Sequence, residues 1–183
     1  MPSFVRAIHV HDPVRAGNYP CSYPAGFPKK ENFVELARSI YDAGADLLEI
    51  GIPLSDPLAD GPVIQNSSQI ALANGINLHT VLRMVEAINK SAAKPLILMG
   101  YSNPIIHYGF ERFAADAGVD GLIIPNVPLE ENDDFFGQSN AGIDSILLTT
   151  PTSPKERIIF KRCSASGKRV EIFHPRSYIP LPF

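Results

Sequence analysis

The chain has 183 residues, of which 16 are basic and 19 are acidic, and its formal net charge is -3. This length suffices for one hydrophobic core, so we expect a single domain and not a multidomain protein. No apolar run approaches the roughly 18 residues of a membrane-spanning helix, and polar side chains interrupt the first 20 residues, so we expect a soluble cytoplasmic protein. Cys21 and Cys163 do not have the spacing of a zinc site or a redox pair.

The two ends of the chain differ in composition from the segment between them. Residues 1–24 contain four prolines, and a short strand pattern that includes two of them lies near Tyr19–Ala25. Residues 159–183 are basic and match no helix or strand pattern over more than a few positions, and the run 161–169 has no aromatic residue to indicate nucleic-acid binding. We therefore predict an atypical N-terminal segment over 1–24, one domain over 25–158 and an atypical basic tail over 159–183.

The predicted domain begins with a helix that is followed by a buried strand. Apolar residues recur at helical spacing from Phe33 to Tyr41, and Gly44 then supplies the left-handed conformation that commonly ends a helix. Residues 47–52 are too few for a helix and, apart from Glu49, are apolar on both faces. Such a run is typical of a strand that is buried on both sides of a parallel sheet.

The alternation of helix and strand continues along the domain. Helical patterns cover residues 63–74, 78–89, 110–117 and, weakly, 130–136, and strand patterns cover residues 95–99, 121–124 and 145–149. This order predicts βαβ units and a parallel sheet.

The positions of the prolines favour a barrel over an open sheet. Eight of the 17 prolines lie at or just after the carboxyl end of a predicted strand, where a (β/α)8 barrel places its active-site loops. No strand is followed by the glycine-rich turn of a dinucleotide-binding sheet. Because a complete barrel needs about 250 residues and the chain has five strand patterns, we predict an α/β fold of the TIM-barrel family from which three or four βα units are missing. A truncated or frame-shifted gene would explain this length.

One carboxylate, Glu49, interrupts the predicted strand 47–52. Burying a charge is costly unless the group is paired or protonated, and apolar surroundings would raise the pKa of this carboxyl to where it can take and give protons. The alternative is a structural carboxylate that neighbouring donors satisfy. Asp56 and Asp60 follow in the next loop, where acidic residues commonly form turns. Because this loop and Glu49 share one strand end, two carboxylates could face one small substrate.

Residues 49–65 read EIGIPLSDPLADGPVIQ, and this segment resembles the signature of the tryptophan synthase alpha subunit family. Four further segments are similar to the same family: residues 25–28 (AGFP), 99–104 (MGYSNP), 125–131 (PNVPLEE) and 150–154 (TPTSP). The resemblance extends over about residues 25–158.

The resemblance implies a carbon-carbon lyase of tryptophan biosynthesis. In this family a retro-aldol reaction splits indole-3-glycerol phosphate into indole and glyceraldehyde 3-phosphate without a metal or a Schiff base, so no cofactor is implied for this chain. By motif, Glu49 would be the catalytic acid and base, and Asp60 would bind the indole N–H and stabilise positive charge on the ring. Tyr101 would line the indole pocket, with simple packing on the barrel as the alternative.

The family also implies a protein partner. Its alpha subunit docks on a beta subunit in an alpha2-beta2 complex, and the pyridoxal phosphate belongs to that partner. Pro53, Asp56 and Pro57 match the docking loop, and Asn103 and Pro104 would lie beside it. A non-catalytic chain that only docks on the beta subunit is the alternative function, and nothing implies nucleic-acid or membrane binding.

The sequence departs from the family pattern in three places. Strands six to eight and their phosphate-binding loops have no counterpart after residue 158, so the resemblance implies a barrel truncated to about its first five βα units. Prolines in residues 18–24 stand where an apolar first strand is expected, and Asn126 replaces the usual aspartate. His79 and His107 lack a third ligand at suitable spacing, so we also expect no metal site.

Overall fold

The computed structural model describes residues 20–128, 130–131, 135, 142–149 and 169–172. In these residues the chain forms six strands: β1 (Pro20–Pro24), β2 (Leu47–Gly51), β3 (Leu96–Met99), β4 (Gly121–Ile123), β5 (Asp144–Thr149) and β6 (Arg169–Ile172). Between β1 and β4 lie five helices: α1 (Phe33–Asp42), α2 (Pro62–Ala73), α3 (Leu78–Asn89), α4 (Ser102–Tyr108) and α5 (Phe110–Ala117). No helix of this described part is long and apolar enough to cross a membrane.

All neighbouring strands are parallel, and their order in the sheet follows their order in the chain from β1 to β6. A barrel of successive βα units has this order. The predicted α/β fold with a parallel sheet is therefore confirmed. The four strands and four of the helices predicted between residues 33 and 149 are observed within one residue of their predicted bounds.

Apolar spacing accounts for α1, and a capping side chain adds to it at α3. In α1 the buried residues Phe33, Ala37 and Tyr41 recur every four positions and face the sheet. At the start of α3 the side chain of Asn77 accepts a hydrogen bond from the backbone N–H of Thr80 (3.0 Å), which satisfies one of the unpaired donors of the first turn. Both helices therefore have the bounds that their sequence pattern predicts.

The sheet buries apolar side chains on both of its faces. The face that packs against the helices includes Leu48, Ile50, Leu96, Leu98 and Leu122. The opposite face, here called the inner face, includes Leu47, Ile97, Ile123 and Ile146. Because side chains alternate along a strand, Glu49 lies on the inner face with Leu47.

The sheet extends past both predicted domain boundaries. The short strand pattern near residues 19–25 is present as β1, and its two prolines are tolerated because β1 pairs only with β2 among the described strands. At the other end, β6 pairs with β5 inside the predicted basic tail 159–183. β6 is the sixth strand of the sheet, which corrects, for this strand, the expectation that strands six to eight are absent. The alternation of Arg169, Val170, Glu171 and Ile172 is only four residues long, too short to indicate a strand by itself.

Helix α4 was not predicted from the sequence. It has seven residues, and Pro104 is the third of them. A proline inside a pattern usually indicates a loop, but the first four N–H groups of a helix have no partner within the helix. Pro104 therefore removes no hydrogen bond from α4. The predicted helix 130–136 is described only at Glu130, Glu131 and Phe135, which are helical.

We expect Gly26→Ala to destabilise the fold by about 2–3 kcal/mol. Gly26 has a φ of 76°, and an added Cβ would collide with the side chain of Ile76, which is only 3% exposed. Urea denaturation of both proteins measures the difference. Gly44→Ala is the matched control, because Gly44 also has a positive φ of 107° but open space around it. Equal losses for the two variants would contradict a steric role for Ile76.

Candidate active site

The loop after β2 holds Asp60 in a defined position. The backbone N–H of Asp60 donates to the carbonyl of Pro57 (3.2 Å) and closes a turn. From α2, Gln65 Nε2 donates to the backbone carbonyl of Asp60 (2.8 Å). Helix α2 begins at Pro62, a residue that suits the first helical position because it has no N–H to leave unpaired.

Asp60 and Tyr101 form one hydrogen-bonded unit. Tyr101 directly precedes α4 and is only 7% exposed. Its hydroxyl donates to Oδ2 of Asp60 (3.2 Å) and accepts from the backbone N–H of Ala59 (2.8 Å). The structure thus brings together two residues that lie 41 positions apart and that the family motif assigns to the same pocket.

Burial changes the acidity of both members of this unit. Burial raises the pKa of the Asp60 carboxyl, and the hydrogen bond from Tyr101 opposes part of the rise. Burial is also the main cause of the raised pKa of Tyr101, which the N–H of Ala59 opposes and the charge of Asp60 increases. The phenol therefore stays protonated at neutral pH and remains a donor to the carboxylate.

We expect Tyr101→Phe to raise the pKa of Asp60 further. The substitution removes a hydrogen bond that favours the ionised carboxylate, whereas the burial that disfavours it remains. The titration is followed by NMR of carbon-labelled aspartate carboxyls, with Asp60→Asn to assign the signal. Tyr108→Phe is the control, because it removes a tyrosine hydroxyl that donates to a different carboxylate, that of Asp116 (2.7 Å). An unchanged Asp60 titration in Tyr101→Phe would contradict the predicted coupling.

Glu49 lies near the carboxyl end of β2, on the inner face. Its register partner on β1 is Ser22, whose hydroxyl donates to Oε1 of Glu49 (2.7 Å). The Glu49 side chain is half-buried. The environment of Glu49 is therefore less apolar than strand 47–52 alone indicated. The carboxylate is partly removed from water, and a hydroxyl group donates a hydrogen bond to it.

The residues assigned to the docking loop differ in exposure. Asp56 and Asn103 are exposed and Pro104 is half-buried. Pro53 and Pro57 are buried, so their rings support the loop from within. Asp56 and Asn103 are accordingly the polar side chains of this set that solvent or another molecule can reach.

An open cavity of about 510 Å³ lies between the loop after β2 and the start of α2. Its lining residues are Ser55, Asp56, Pro57, Leu58, Pro62, Gln65, Asn66 and Gln69. Within this lining, Leu58 is 94% exposed. The cavity therefore adjoins Asp56 of the loop after β2, and Asp60 and Tyr101 are absent from its lining.

Asn126 connects two loops at the same edge of the sheet. Its Oδ1 accepts a hydrogen bond from the backbone N–H of Ser102 (3.0 Å), and its Nδ2 donates to Oγ of Ser102 (2.9 Å). Ser102 is the first residue of α4 and directly follows Tyr101. Asn126, for which we predicted a departure from the family pattern, thus anchors the segment that carries Tyr101.

Three contacts of the site were not predicted from the sequence. They are the hydroxyl of Ser22 on Glu49, the N–H of Ala59 on Tyr101 and the amide of Asn126 on Ser102. The first could have been found by pairing β1 with β2, since Ser22 and Glu49 then share a face. The other two contacts join separate loops, and the spacing of residues along the sequence does not indicate which loops meet.

The described residues contain no group of three or more metal-ligating side chains. His79 and His107 are both exposed, and the ring of His79 lies edge-on against that of Tyr108 with centroids 5.0 Å apart. Both histidines lie on the helical layer, His79 in α3 and His107 in α4.

Comparison with known proteins identifies a family. The family model described as tryptophan synthase alpha chain matches residues 22–167. A tryptophan synthase alpha chain of Roseiflexus is 47% identical over 147 residues, covering 78% of this chain and 56% of that protein. One from Burkholderia mallei is 48% identical over 148 residues, covering 78% and 55%. The chain thus spans about half the length of the curated relatives it matches.

Solved structures show the same similarity. The tryptophan synthase alpha subunit of Legionella pneumophila matches with a TM-score of 0.78 and 40% identity, over 87% of this chain and 62% of that one. A chain of the tryptophan synthase complex of Pyrococcus furiosus matches with a TM-score of 0.74 and 32% identity, over 84% and 64%. With the parallel sheet, the motif of residues 49–65 and the family match over 22–167, the chain belongs to the tryptophan synthase alpha chain family.

Proposed function

We propose that the protein cleaves indole-3-glycerol phosphate into indole and glyceraldehyde 3-phosphate by a retro-aldol reaction. The observation that carries the proposal is the hydrogen-bonded unit of Asp60 and Tyr101, at the edge of the sheet where β2 and its half-buried Glu49 end. Parallel barrels place their active sites at this edge. The family match supports the same reaction.

Glu49 serves as general acid and base in this proposal. Its carboxyl group protonates C3 of the indole, and the resulting carboxylate then removes the proton of the glycerol hydroxyl. As the carbon-carbon bond breaks, its electron pair returns to the indole ring and the hydroxyl carbon becomes the aldehyde of glyceraldehyde 3-phosphate. One group can do both steps because each leaves it in the protonation state that the next requires.

Asp60 stabilises the charge that forms on the ring. Protonation at C3 places positive charge on the indole nitrogen, and the carboxylate of Asp60 accepts the N–H hydrogen bond there. The same burial that raises the pKa of Asp60 reduces solvent screening, so the carboxylate attracts the developing positive charge more strongly. Tyr101 occupies one carboxylate oxygen and so orients the other, which places a fixed charge where the transition state needs it.

The proposal includes a beta subunit as partner. Exposed Asp56 and Asn103 would form polar contacts with it, while buried Pro53 and Pro57 hold the loop in shape, with Pro104 at its margin. Pyridoxal phosphate would remain with the beta subunit. A cytoplasmic location is part of the proposal, since it accords with biosynthesis of an amino acid.

Indole release from indole-3-glycerol phosphate tests the proposal directly. The 183-residue chain is assayed with and without a purified beta subunit of the family, and binding to that subunit is measured separately by calorimetry. We expect indole formation that depends on the chain and increases with the partner. Binding without indole would favour the non-catalytic docking function, and the absence of both would contradict the proposal.

A further inference from the structure

On the inner face of the sheet, four positions adjoin Glu49 along β1, β2 and β3, and one of them carries a polar side chain. Leu47 precedes it and Gly51 follows it on β2, Ile97 is its register partner on β3, and Ser22 is its register partner on β1. Of these four, only Ser22 carries a side-chain hydrogen-bond donor. The hydroxyl uses that capacity on Oε1 of Glu49, at 2.7 Å.

The backbone on both sides of Ser22 is constrained. β1 reads Pro20-Cys21-Ser22-Tyr23-Pro24, and each proline ring limits φ to a narrow range. All five residues of β1 are paired in parallel register with β2. The serine therefore has little freedom to move along the strand, and its hydroxyl stays beside Glu49.

We propose that Ser22 is the positioning residue for the Glu49 carboxylate and that its hydrogen bond to Oε1 fixes the orientation of this group. This inference rests on the proposed function of Glu49. A hydroxyl that donates to a carboxylate favours its ionised form. Ser22 therefore also lowers the pKa of Glu49 and sets the pH at which this group changes between its acid form and its base form.

The pKa of Glu49 tests the contact without any need for activity. Ser22→Thr and Ser22→Val form the matched pair, because both are branched at Cβ and suit a strand and they differ by a hydroxyl in place of a methyl. NMR of carbon-labelled glutamate carboxyls follows the titration, with Glu49→Gln to assign the signal. We expect Ser22→Val to raise the pKa of Glu49 by about 0.5–1 unit relative to Ser22→Thr.

Ser39→Ala serves as the distant control, because its hydroxyl donates to a backbone carbonyl on α1. An equal Glu49 pKa in the Thr and Val variants would overturn the proposal, whatever the chain catalyses. Where indole release is measurable, the limb of kcat/KM against pH on which Glu49 loses the proton for C3 should move to higher pH in Ser22→Val and return in Ser22→Thr. A loss of rate with an unmoved pH profile would assign Ser22 a purely structural role and would also overturn it.

Discussion

Glu49→Gln is expected to lower kcat for indole release by about 10²–10⁴-fold, the usual contribution of a general acid or base. Glutamine has nearly the same shape and can still accept the hydrogen bond from Ser22, so the strand pairing of β1 and β2 is preserved. It cannot give a proton to C3 of the indole or take one from the glycerol hydroxyl. The expected loss is therefore chemical and leaves KM little changed.

Single-turnover indole release with a beta subunit present measures this effect. Glu35→Gln is the matched control, because it makes the same chemical change at an exposed position of α1. Circular dichroism checks that both variants keep the helix content of the wild-type chain. Full activity of Glu49→Gln beside an active wild-type chain would show that another group transfers the proton.

Asp60→Asn should lower kcat by about 10²–10³-fold through lost electrostatic stabilisation. Asparagine can still accept a hydrogen bond from Tyr101, but it provides no negative charge for the indole nitrogen. The expected loss is smaller than for Glu49→Gln, because the N–H hydrogen bond can persist with the amide oxygen. Asp46→Asn, at an exposed position, is the matched control, and an unchanged rate for Asp60→Asn would contradict the assigned role.

Asp60→Asn should not lower the free energy of unfolding at neutral pH, although it lowers kcat. Burial raises the pKa of Asp60 in the folded chain, so the folded state binds this proton more tightly than the unfolded state does. The ionised carboxylate therefore lowers the free energy of unfolding above its folded pKa, and this cost vanishes below the unfolded value of about 3.9. We expect Asp60→Asn to be no less stable than wild type at neutral pH, with any gain lost in acid. Urea denaturation at both pH values measures this, and a variant clearly less stable at neutral pH would contradict it.

Strands that read as mainly apolar runs were predictable, and the short, alternating one was not. The runs that became β2, β3, β4 and β5 place apolar residues on both faces of the sheet, so their composition separates them from the amphipathic helices around them. β6 alternates polar and apolar residues over only four positions, and α4 contains Pro104. In both cases the neighbouring elements decide the structure. β6 forms because it pairs with β5, and α4 forms because of its position directly after β3.

The two candidate carboxylates, Glu49 and Asp60, could be identified from the sequence because they lie within the single motif of residues 49–65. The hydrogen bonds that surround these carboxylates could not be predicted from the sequence. Tyr101 reaches Asp60 from 41 positions away, and Asn126 reaches Ser102 from another loop. These contacts depend on parallel strands that place the ends of β2, β3 and β4 side by side.

Sequence by itself therefore determined the fold class, the order of elements and the family, because hydrophobic periodicity and a contiguous motif are local properties of the chain. The tertiary structure alone decided that Ser22 faces Glu49, that Tyr101 holds Asp60 and that Asp60 is buried enough for its pKa to rise. The physical reason is that register between strands and removal of water are set by all the packed elements together. The acidity and orientation of the two carboxylates follow from that packing.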